Sequence, residues 1–330
     1  MKIFVCEFVT GGGLYREPMP FSLVREGGLM LQALLEDLMV IPEVEVLTSR
    51  DQRLPPLDLP VEQIWIAEDE DAWRQWERCI RMSDAVWPIA PESGGVLERL
   101  SSLALSNGKL LLGCLPQAII LAASKHETAS TLQQSGIQSI STFMPEEIPP
   151  GMDGPFVAKP DDGIGCEDTR YFPDCNTLMA WLALEGRMRS HVVQPFLPGT
   201  PASLSMICRN GESWLLSCNR QRVFLEEGRF IYRGSVLNDM ARYWEDFSCI
   251  GRDVASAIDG LAGYVGVDVL VNRGQVTVLE VNPRLTTSYA GLSRATDSNP
   301  ARLVLELLYN GSLPSPPVVA RNIVEVSLDE

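Results

Sequence analysis

Asp268, Glu280 and Asn282 place oxygen-bearing side chains in two otherwise apolar runs, Gly263–Val271 and Gln275–Val281. Hard cations such as Mg²⁺ take oxygen ligands and share them with phosphate groups. A carboxylate set among valines and leucines is costly unless a nearby charge neutralises it. These residue types therefore ask for a divalent metal. Side chains alternate between the faces of a strand, so Glu280 and Asn282 share one face. A two-residue turn at Arg273-Gly274 would put Asp268 on the face opposite Glu280. A three-residue loop, Asn272-Arg273-Gly274 with Gly274 left-handed as a bulge, pairs Val271 with Gln275 and restores a common face. That loop is the expectation. The competing reading is an ordinary hairpin whose Glu280 and Asn282 lie at a solvated strand end.

A second group of residues suits a phosphate chain. Phe156–Lys159 reads as a strand ending in lysine, and Pro160-Asp161-Asp162-Gly163-Ile164-Gly165 follows it. One ammonium and several free N–H groups can surround phosphates there, and Gly163 and Gly165 permit close backbone approach. The pattern is neither Gly-x-x-x-x-Gly-Lys-Ser/Thr nor Gly-x-Gly-x-x-Gly, and a solvated turn competes with it. Val192–Gly199 is an extended apolar segment that can present N–H and C=O groups to an adenine edge, or simply be a buried strand. Lys125, on a preceding helix, is a weaker candidate, because most helix lysines are solvated.

The elements that must position these groups follow from periodicity. Lys2–Val9 reads as a buried strand running into Thr10-Gly11-Gly12-Gly13. Phe21–Met39 reads as a helix with Val24, Leu31, Leu34, Leu35 and Leu38 on one side. Strands at 45–47, 63–67 and 85–89 alternate with helices at 73–82 and 96–105, the mark of a doubly wound parallel sheet extending to Leu121. Ligands on such sheets bind at the carboxyl ends of the strands, where the Gly11–Gly13 turn falls. Helix Ser124–Gln134 ends at Gly136, and helix Thr177–Arg187 and strand Val192–Phe196 come later. Short antiparallel strands follow at 203–208, 213–218 and 229–232. A long helix, Arg242–Leu261, precedes the hairpin. Helix Ala301–Tyr309 and strand Ile323–Val326 close the chain. Pro145–Pro155 and Ser312–Pro317 read as loops.

Composition narrows the function. The net charge is −16, from 27 basic and 43 acidic residues, which argues against a nucleic-acid or anionic-membrane partner. A phosphate site must then be built locally from a few cations and backbone N–H groups. No apolar run is long enough to span a bilayer, and the N-terminus lacks the layout of a signal peptide. Eight scattered cysteines without a Cys-x-x-Cys pair suit a reducing cytoplasm. His126 and His191 are the only histidines, so zinc–histidine clusters and Ser-His-Asp catalysis are poor prospects.

In this order and spacing the pieces resemble the ATP-grasp superfamily of carboxylate–amine ligases. The resemblance runs from Lys125 to Tyr309, and Lys2–Leu121 suits the α/β domain that precedes it in that family. It implies an α/β and α+β architecture: an N-terminal doubly wound parallel α/β domain over 1–122, a small lid domain with the phosphate loop over 123–197, and a C-terminal domain with the metal-binding hairpin over 198–330. It implies ATP and Mg²⁺ (or Mn²⁺) as cofactors, with Lys125 and Lys159 on the phosphates and Gly163 and Gly165 in a loop above them. Gln194 would meet the adenine amino group, and the Phe196–Leu197 backbone the ring edge. Asp268, Glu280 and Asn282 would hold two Mg²⁺ ions. Arg284, in Asn282-Pro283-Arg284, would face the acyl phosphate or carboxylate.

Many members carry a glutamate near position 201 for the ribose. Pro201 stands here, and the contact moves to Ser203 or a main-chain group. Arg220 and Arg233 are further cations expected near the site, with surface arginines as the alternative. Glu7–Gly13, Lys159–Cys166 and Asn219-Arg220-Gln221 resemble the tyramine–glutamate ligase group of methanofuran and methylofuran biosynthesis. This implies substrate contacts at Gly11, Gly12, Asn219 and Thr286, though the glycine turn could be a plain strand–helix connection. The implied reaction joins an L-glutamate carboxylate to the amine of tyramine or tyrosine in a cytoplasmic enzyme, expected as a homodimer. The alternatives are a ligase for another amino acid or peptide, a biotin-type carboxylase, for which no biotin-attachment segment is visible, and a nucleotide-binding module without turnover. Retention of the three metal ligands and both lysines argues against the last.

Overall fold

A computed structural model describes residues 1–163, 165–311 and 320–329. Ile164 and the Ser312–Pro317 stretch lie outside the described residues. The chain builds two sheets. The first has five parallel strands, β1 (Lys2–Glu7), β2 (Glu45–Asp51), β3 (Glu62–Ile66), β4 (Ala85–Ile89) and β5 (Leu110–Leu111), in the order β3-β2-β1-β4-β5. Alternation along β1 explains the layers. Ile3 and Val5 face α1 (Phe21–Met39) through Leu31, Leu34, Leu35 and Leu38. Phe4 and Cys6 face the opposite layer, where α2 (Ala72–Arg81), α3 (Val96–Ser106) and α4 (Pro116–Ala123) bring Trp76, Leu97, Leu100 and Ile119. A parallel sheet must be covered on both faces, and this one is.

Ser124 separates α4 from α5 (Lys125–Gln134) and caps α5, accepting from the Glu127 N–H at 3.1 Å. The second sheet contains β6 (Phe156–Pro160), β7 (Arg170–Phe172), β8 (His191–Pro195), β9 (Thr200–Arg209), β10 (Glu212–Glu226), β11 (Arg229–Leu237), β12 (Gly263–Asn272), β13 (Gln275–Asn282) and β14 (Val324–Ser327). Its order is β13-β12-β9-β10-β11-β7-β6-β8, with β14 paired to β11. One face of its large part buries Leu204, Met206, Val265, Val267 and Val269 against Phe247, Val254 and Ile258, the latter from α8 (Trp244–Ala257) and its C-cap. The other face carries the polar row Asn219–Ser203–Asp268–Glu280, cross-strand partners from β10 to β13.

Several boundaries differ from the sequence expectation. The helix expected over 177–187 is α6 (Cys175–Leu182) followed by the short α7 (Arg187–Ser190). They are separated where Gly186 adopts φ 74°, a conformation that stops an α-helix. The helix expected over 242–261 is α8, preceded by a single tight turn at Ala241–Tyr243 and ended by the extended Ile258. Strand β10 continues to Glu226 rather than ending at Cys218. After β13, a tight turn over Thr287–Gly291, α9 (Leu292–Thr296) and α10 (Pro300–Asn310) pack back toward α1. Among the described residues no helix is long and apolar enough to cross a membrane.

The hairpin corrects the expected loop. Asn272 pairs with Gln275, leaving a two-residue turn of Arg273 (φ 48°) and Gly274 (φ 84°), both left-handed, the form that matches strand twist. Val269 pairs with Val278, yet Asp268 pairs with Glu280. The extra residue is Leu279, a bulge in β13. It flips the register by one and brings Asp268 and Glu280 to a common face. The shared face was expected; the device that creates it is the bulge, and the loop is even.

Candidate active site

A cavity of about 840 Å³ opens above the polar row. Strands β6 and β8 and the glycine loop roof it, the hairpin floors it, and α1 closes one end. One end is apolar, lined by Ile140, Val157, Phe196, Leu197, Leu270 and Leu279 around Gln194. Gln194 is buried, and its side-chain amide donates to Thr142 Oγ1 at 2.9 Å, which fixes the carboxamide's orientation. The Phe196 N–H donates to the Pro155 carbonyl at 2.8 Å. That N–H is therefore engaged within the protein.

The middle carries the charge. Lys159 Nζ lies 3.3 Å from Glu280 Oε2, and Lys125 Nζ lies 4.0 Å from the same oxygen. Lys125 also donates to the Gly163 and Asp161 carbonyls, while the His126 N–H donates to Asp161 Oδ1 at 2.9 Å. Lys125 and the start of α5 thus hold the glycine loop down. Within that loop a Cβ on Gly163 would come within 2.8 Å of Pro160, and Gly165 sits at φ 59°. Both positions favour glycine on physical grounds. Burial lowers the Lys125 pKa, with Glu280 acting against it.

Asp268 and Glu280 lie half-buried, directly opposite each other across β12 and β13. Burial raises the Asp268 pKa, and the Glu280 charge adds to the rise. Burial also works to raise Glu280, but the Lys159 and Lys125 ammoniums outweigh it and hold that carboxyl below its usual range. The lysine charge falls mainly on Glu280, so the repulsion between the two carboxylates is expressed at Asp268. Asn282, opposite Gly266 and on the same face, adds a neutral oxygen. Among the described residues no three His, Cys, Asp or Glu side chains converge on one point. Two carboxylates and an amide form an open, all-oxygen donor set that fits a cation shared with phosphate oxygens.

At the far end, Arg284 Nε donates to Glu92 Oε2 at 2.9 Å and its Nη1 to the Leu285 carbonyl at 3.0 Å. The pair is buried, and Glu92 Oε1 has no partner among the described residues. Thr286 Oγ1 meets the Tyr264 hydroxyl at 2.9 Å, and that hydroxyl donates to Ser205 at 3.0 Å. Losing one partner of a buried ion pair leaves an uncompensated charge. Glu92→Ala is therefore expected to cost about 3–5 kcal/mol of stability, read from urea unfolding. A cost below ~1 kcal/mol would mean that other groups compensate Arg284.

The structure brings Lys159, Gly165, Gln194, Phe196, Leu197, Asp268, Glu280, Asn282, Arg284 and Thr286 to one cavity, with Lys125 and Gly163 beside it. Pro201 and Ser203 also line it. Five expected residues do not reach it. Arg220 shares a face with Ala202 and Val269, opposite the polar row, and pairs with Asp239. Arg233 pairs with Glu226 at 2.7 Å near Asp329. Asn219 is fully buried, donating to Ser203 and Ser205. Gly11 and Gly12 pack the turn after β1 onto neighbouring strands. A Cβ on Gly11 would come within 2.6 Å of Ser49, and one on Gly12, at φ 99°, within 2.7 Å of Ile66. The Gly11 carbonyl accepts from Trp76 Nε1.

Gln221, Glu92, Glu26, Tyr232 and Thr287 were not foreseen. Gln221 donates to Asp268 Oδ1 at 2.9 Å. Strand alternation puts Asn219 and Gln221 on one face and Arg220 on the other, the signal that identifies it.

An ATP-grasp domain model matches residues 122–288, half of the chain, and a pre ATP-grasp 3 domain model matches residues 44–119. The chain is 28% identical over 314 residues to the tyramine–L-glutamate ligase of Methanocaldococcus fervens, covering 94% of this chain and 95% of that protein. It is 26% identical to the tyramine–L-glutamate ligase of Methanocaldococcus jannaschii, covering 88% and 85%. The crystal structure of an ATP-grasp superfamily protein from Archaeoglobus fulgidus superposes with a TM-score of 0.70 at 23% identity, covering 99% of this chain and all of that one. A lysine-bearing lid over an acidic hairpin, preceded by a parallel α/β sheet and matched by the family model across half the sequence, places the chain in the ATP-grasp family.

Proposed function

We propose that this protein is an ATP-dependent carboxylate–amine ligase that joins the carboxylate of L-glutamate to the amine of tyramine or tyrosine, with ADP and phosphate released, in methanofuran or methylofuran biosynthesis. The observation that carries the reaction class is the convergence of Lys159, Asp268, Glu280, Asn282 and Arg284 on one cavity with an apolar end. The relatives named tyramine–L-glutamate ligases, aligned over most of the chain, support the choice of substrates.

A carboxylate is a poor electrophile, and phosphorylation by ATP turns it into an acyl phosphate that an amine can attack. Little covalent work falls to the protein; neutralising and aligning charge do most of it. The apolar end takes the adenine, with Gln194 at its edge and Ser203 near the ribose. Lys159 meets the phosphates, and Lys125 holds the glycine loop above them. Asp268, Glu280 and Asn282 would hold Mg²⁺ or Mn²⁺, which supplies charge neutralisation for the phosphate oxygens. Arg284, kept in one orientation by Glu92, faces the carboxylate being activated.

The test is a phosphate-release screen of glutamate against tyramine, tyrosine and a panel of other amines. ADP release is expected only when carboxylate and amine are present together. Equal release without either would refute the ligase reading. Release with glutamate and a different amine would refute only the tyramine assignment.

A further inference from the structure

The end of the cavity farthest from the apolar pocket is closed by the first half of α1, whose Ser22, Leu23, Arg25, Glu26, Gly27 and Met30 line it. This helix is held in place. Asp37, near its other end, accepts from the Tyr289 hydroxyl at 2.9 Å and the Ser293 hydroxyl at 2.6 Å, while Asn299 donates to the Asp37 carbonyl at 2.7 Å. The helix is thereby fixed against the segment that follows the acidic hairpin. Glu26 accepts from Thr287 Oγ1 in that segment. Its charge acts on Arg284, Tyr232 and Cys166, and it lines the same cavity as Arg284, Asp268 and Glu280.

Several other charged and polar groups at this end are engaged. Glu7 accepts from the Val9 and Thr10 N–H groups and the Thr10 hydroxyl, which makes it the anchor of the turn after β1. Arg25 donates to the Asp329 carbonyl. The Tyr232 phenol is pushed up by burial and by Glu26 and Asp268, so it stays neutral and is a poor base near pH 7. Among the described residues, Glu26 accepts one side-chain hydrogen bond, from the Thr287 hydroxyl. Leu23 and Met30 of the same helix, with Ile89 and Ile231, add apolar lining to a cavity that Arg284, Tyr232 and Thr287 also line. A half-buried carboxylate in a cavity with apolar lining is the complement of an ammonium group on an apolar body.

We propose that Glu26 binds the ammonium group of the amine substrate and takes one proton from it, and that this end of the cavity selects a primary amine on an apolar or aromatic body. The assignment rests on the ligase reading. The freed nitrogen lone pair attacks the acyl carbon. The carbon–oxygen bond to phosphate breaks and its electron pair leaves with the phosphate. The second proton of the attacking nitrogen departs with that phosphate, leaving a neutral amide.

Hydroxylamine, uncharged at neutral pH, separates amine recognition from carboxylate activation, because it traps the acyl phosphate as a hydroxamate. With ATP, Mg²⁺ and glutamate, Glu26→Gln is expected to lower kcat/KM for tyramine roughly 100-fold or more. The KM values for ATP and glutamate, and the rate of hydroxamate formation, are expected to stay within about twofold of the parent. Glu26→Asp keeps the charge and shortens its reach. It is expected to lose roughly 10-fold with tyramine and little with hydroxylamine, and it carries the test if the glutamine variant does not fold. Unchanged tyramine kinetics would overturn the assignment. Equal losses with both nucleophiles would overturn it too, and would make Glu26 a structural residue. A parent protein that forms neither amide nor hydroxamate would overturn the ligase reading itself, and this assignment with it.

Discussion

Glu280→Gln is expected to abolish ATP turnover while leaving the fold intact. Glu280 is the charged member of the half-buried Asp268–Glu280 pair, faced by Lys159 at 3.3 Å and Lys125 at 4.0 Å. Glutamine keeps its shape and can still accept from Lys159, but it offers a cation no anionic oxygen. Neutralising charge on a transferring phosphoryl group is worth several kcal/mol. Losing ~4 kcal/mol of it slows turnover about 10³-fold. The fold should tolerate the change because Asp268 sits opposite. Its carboxyl is held toward the protonated form by burial and by the Glu280 charge. With Glu280 neutral that repulsion disappears, and Asp268 can supply the counter-charge for Lys159. A loss near 1 kcal/mol would move the melting temperature by only about 1–2 °C in a chain of this size. Phosphate release and a thermal melt followed by circular dichroism read the two effects separately. Full activity in the variant would sink the metal assignment.

The same residues mark what the sequence could and could not disclose. Glu280 and Asn282 were legible because strand alternation is local and forces i and i+2 onto one face. Lys159 was legible as the last residue of an apolar strand before glycines. The bulge at Leu279 was not, because an inserted strand residue is defined by its partner and Leu279 is an ordinary strand residue by type. The engagement of the Phe196 N–H with Pro155 was equally hidden, since any main-chain N–H reads as free in a sequence. Arg220 and Arg233 were misplaced because positive charge was counted without assigning each side chain a face. The pair Glu92–Arg284 joins β4's exit to β13's exit, and Glu26–Thr287 joins α1 to the segment after the hairpin. Such contacts exist only once two sheets have packed, and no local pattern announces them. The glycines of the first turn were legible as glycines, but not as glycines spent on packing against Ser49 and Ile66.

Lys159→Ala is expected to weaken ADP binding by about 1.5–3 kcal/mol, roughly 10- to 150-fold, the worth of a charge-assisted hydrogen bond to phosphate. The chain's net charge of −16 supplies no attractive field for a nucleotide, so attraction depends on a few local cations. Of the two lysines at Glu280, Lys125 spends its ammonium on the Asp161 and Gly163 carbonyls, whereas Lys159 faces Glu280 from the roof of the cavity. Lys159 is therefore the freer of the two to meet a phosphate. Removing it also leaves the Asp268–Glu280 pair with Lys125 alone, so some stability is lost, and weaker binding could then follow from a loosened lid. Titrating adenosine beside ADP separates the two causes. The apolar end around Gln194 lies outside the substitution, so adenosine affinity is expected to hold while ADP affinity falls. Equal losses would assign Lys159 to the structure of the lid, and an unchanged ADP affinity by calorimetry would refute its place at the phosphates.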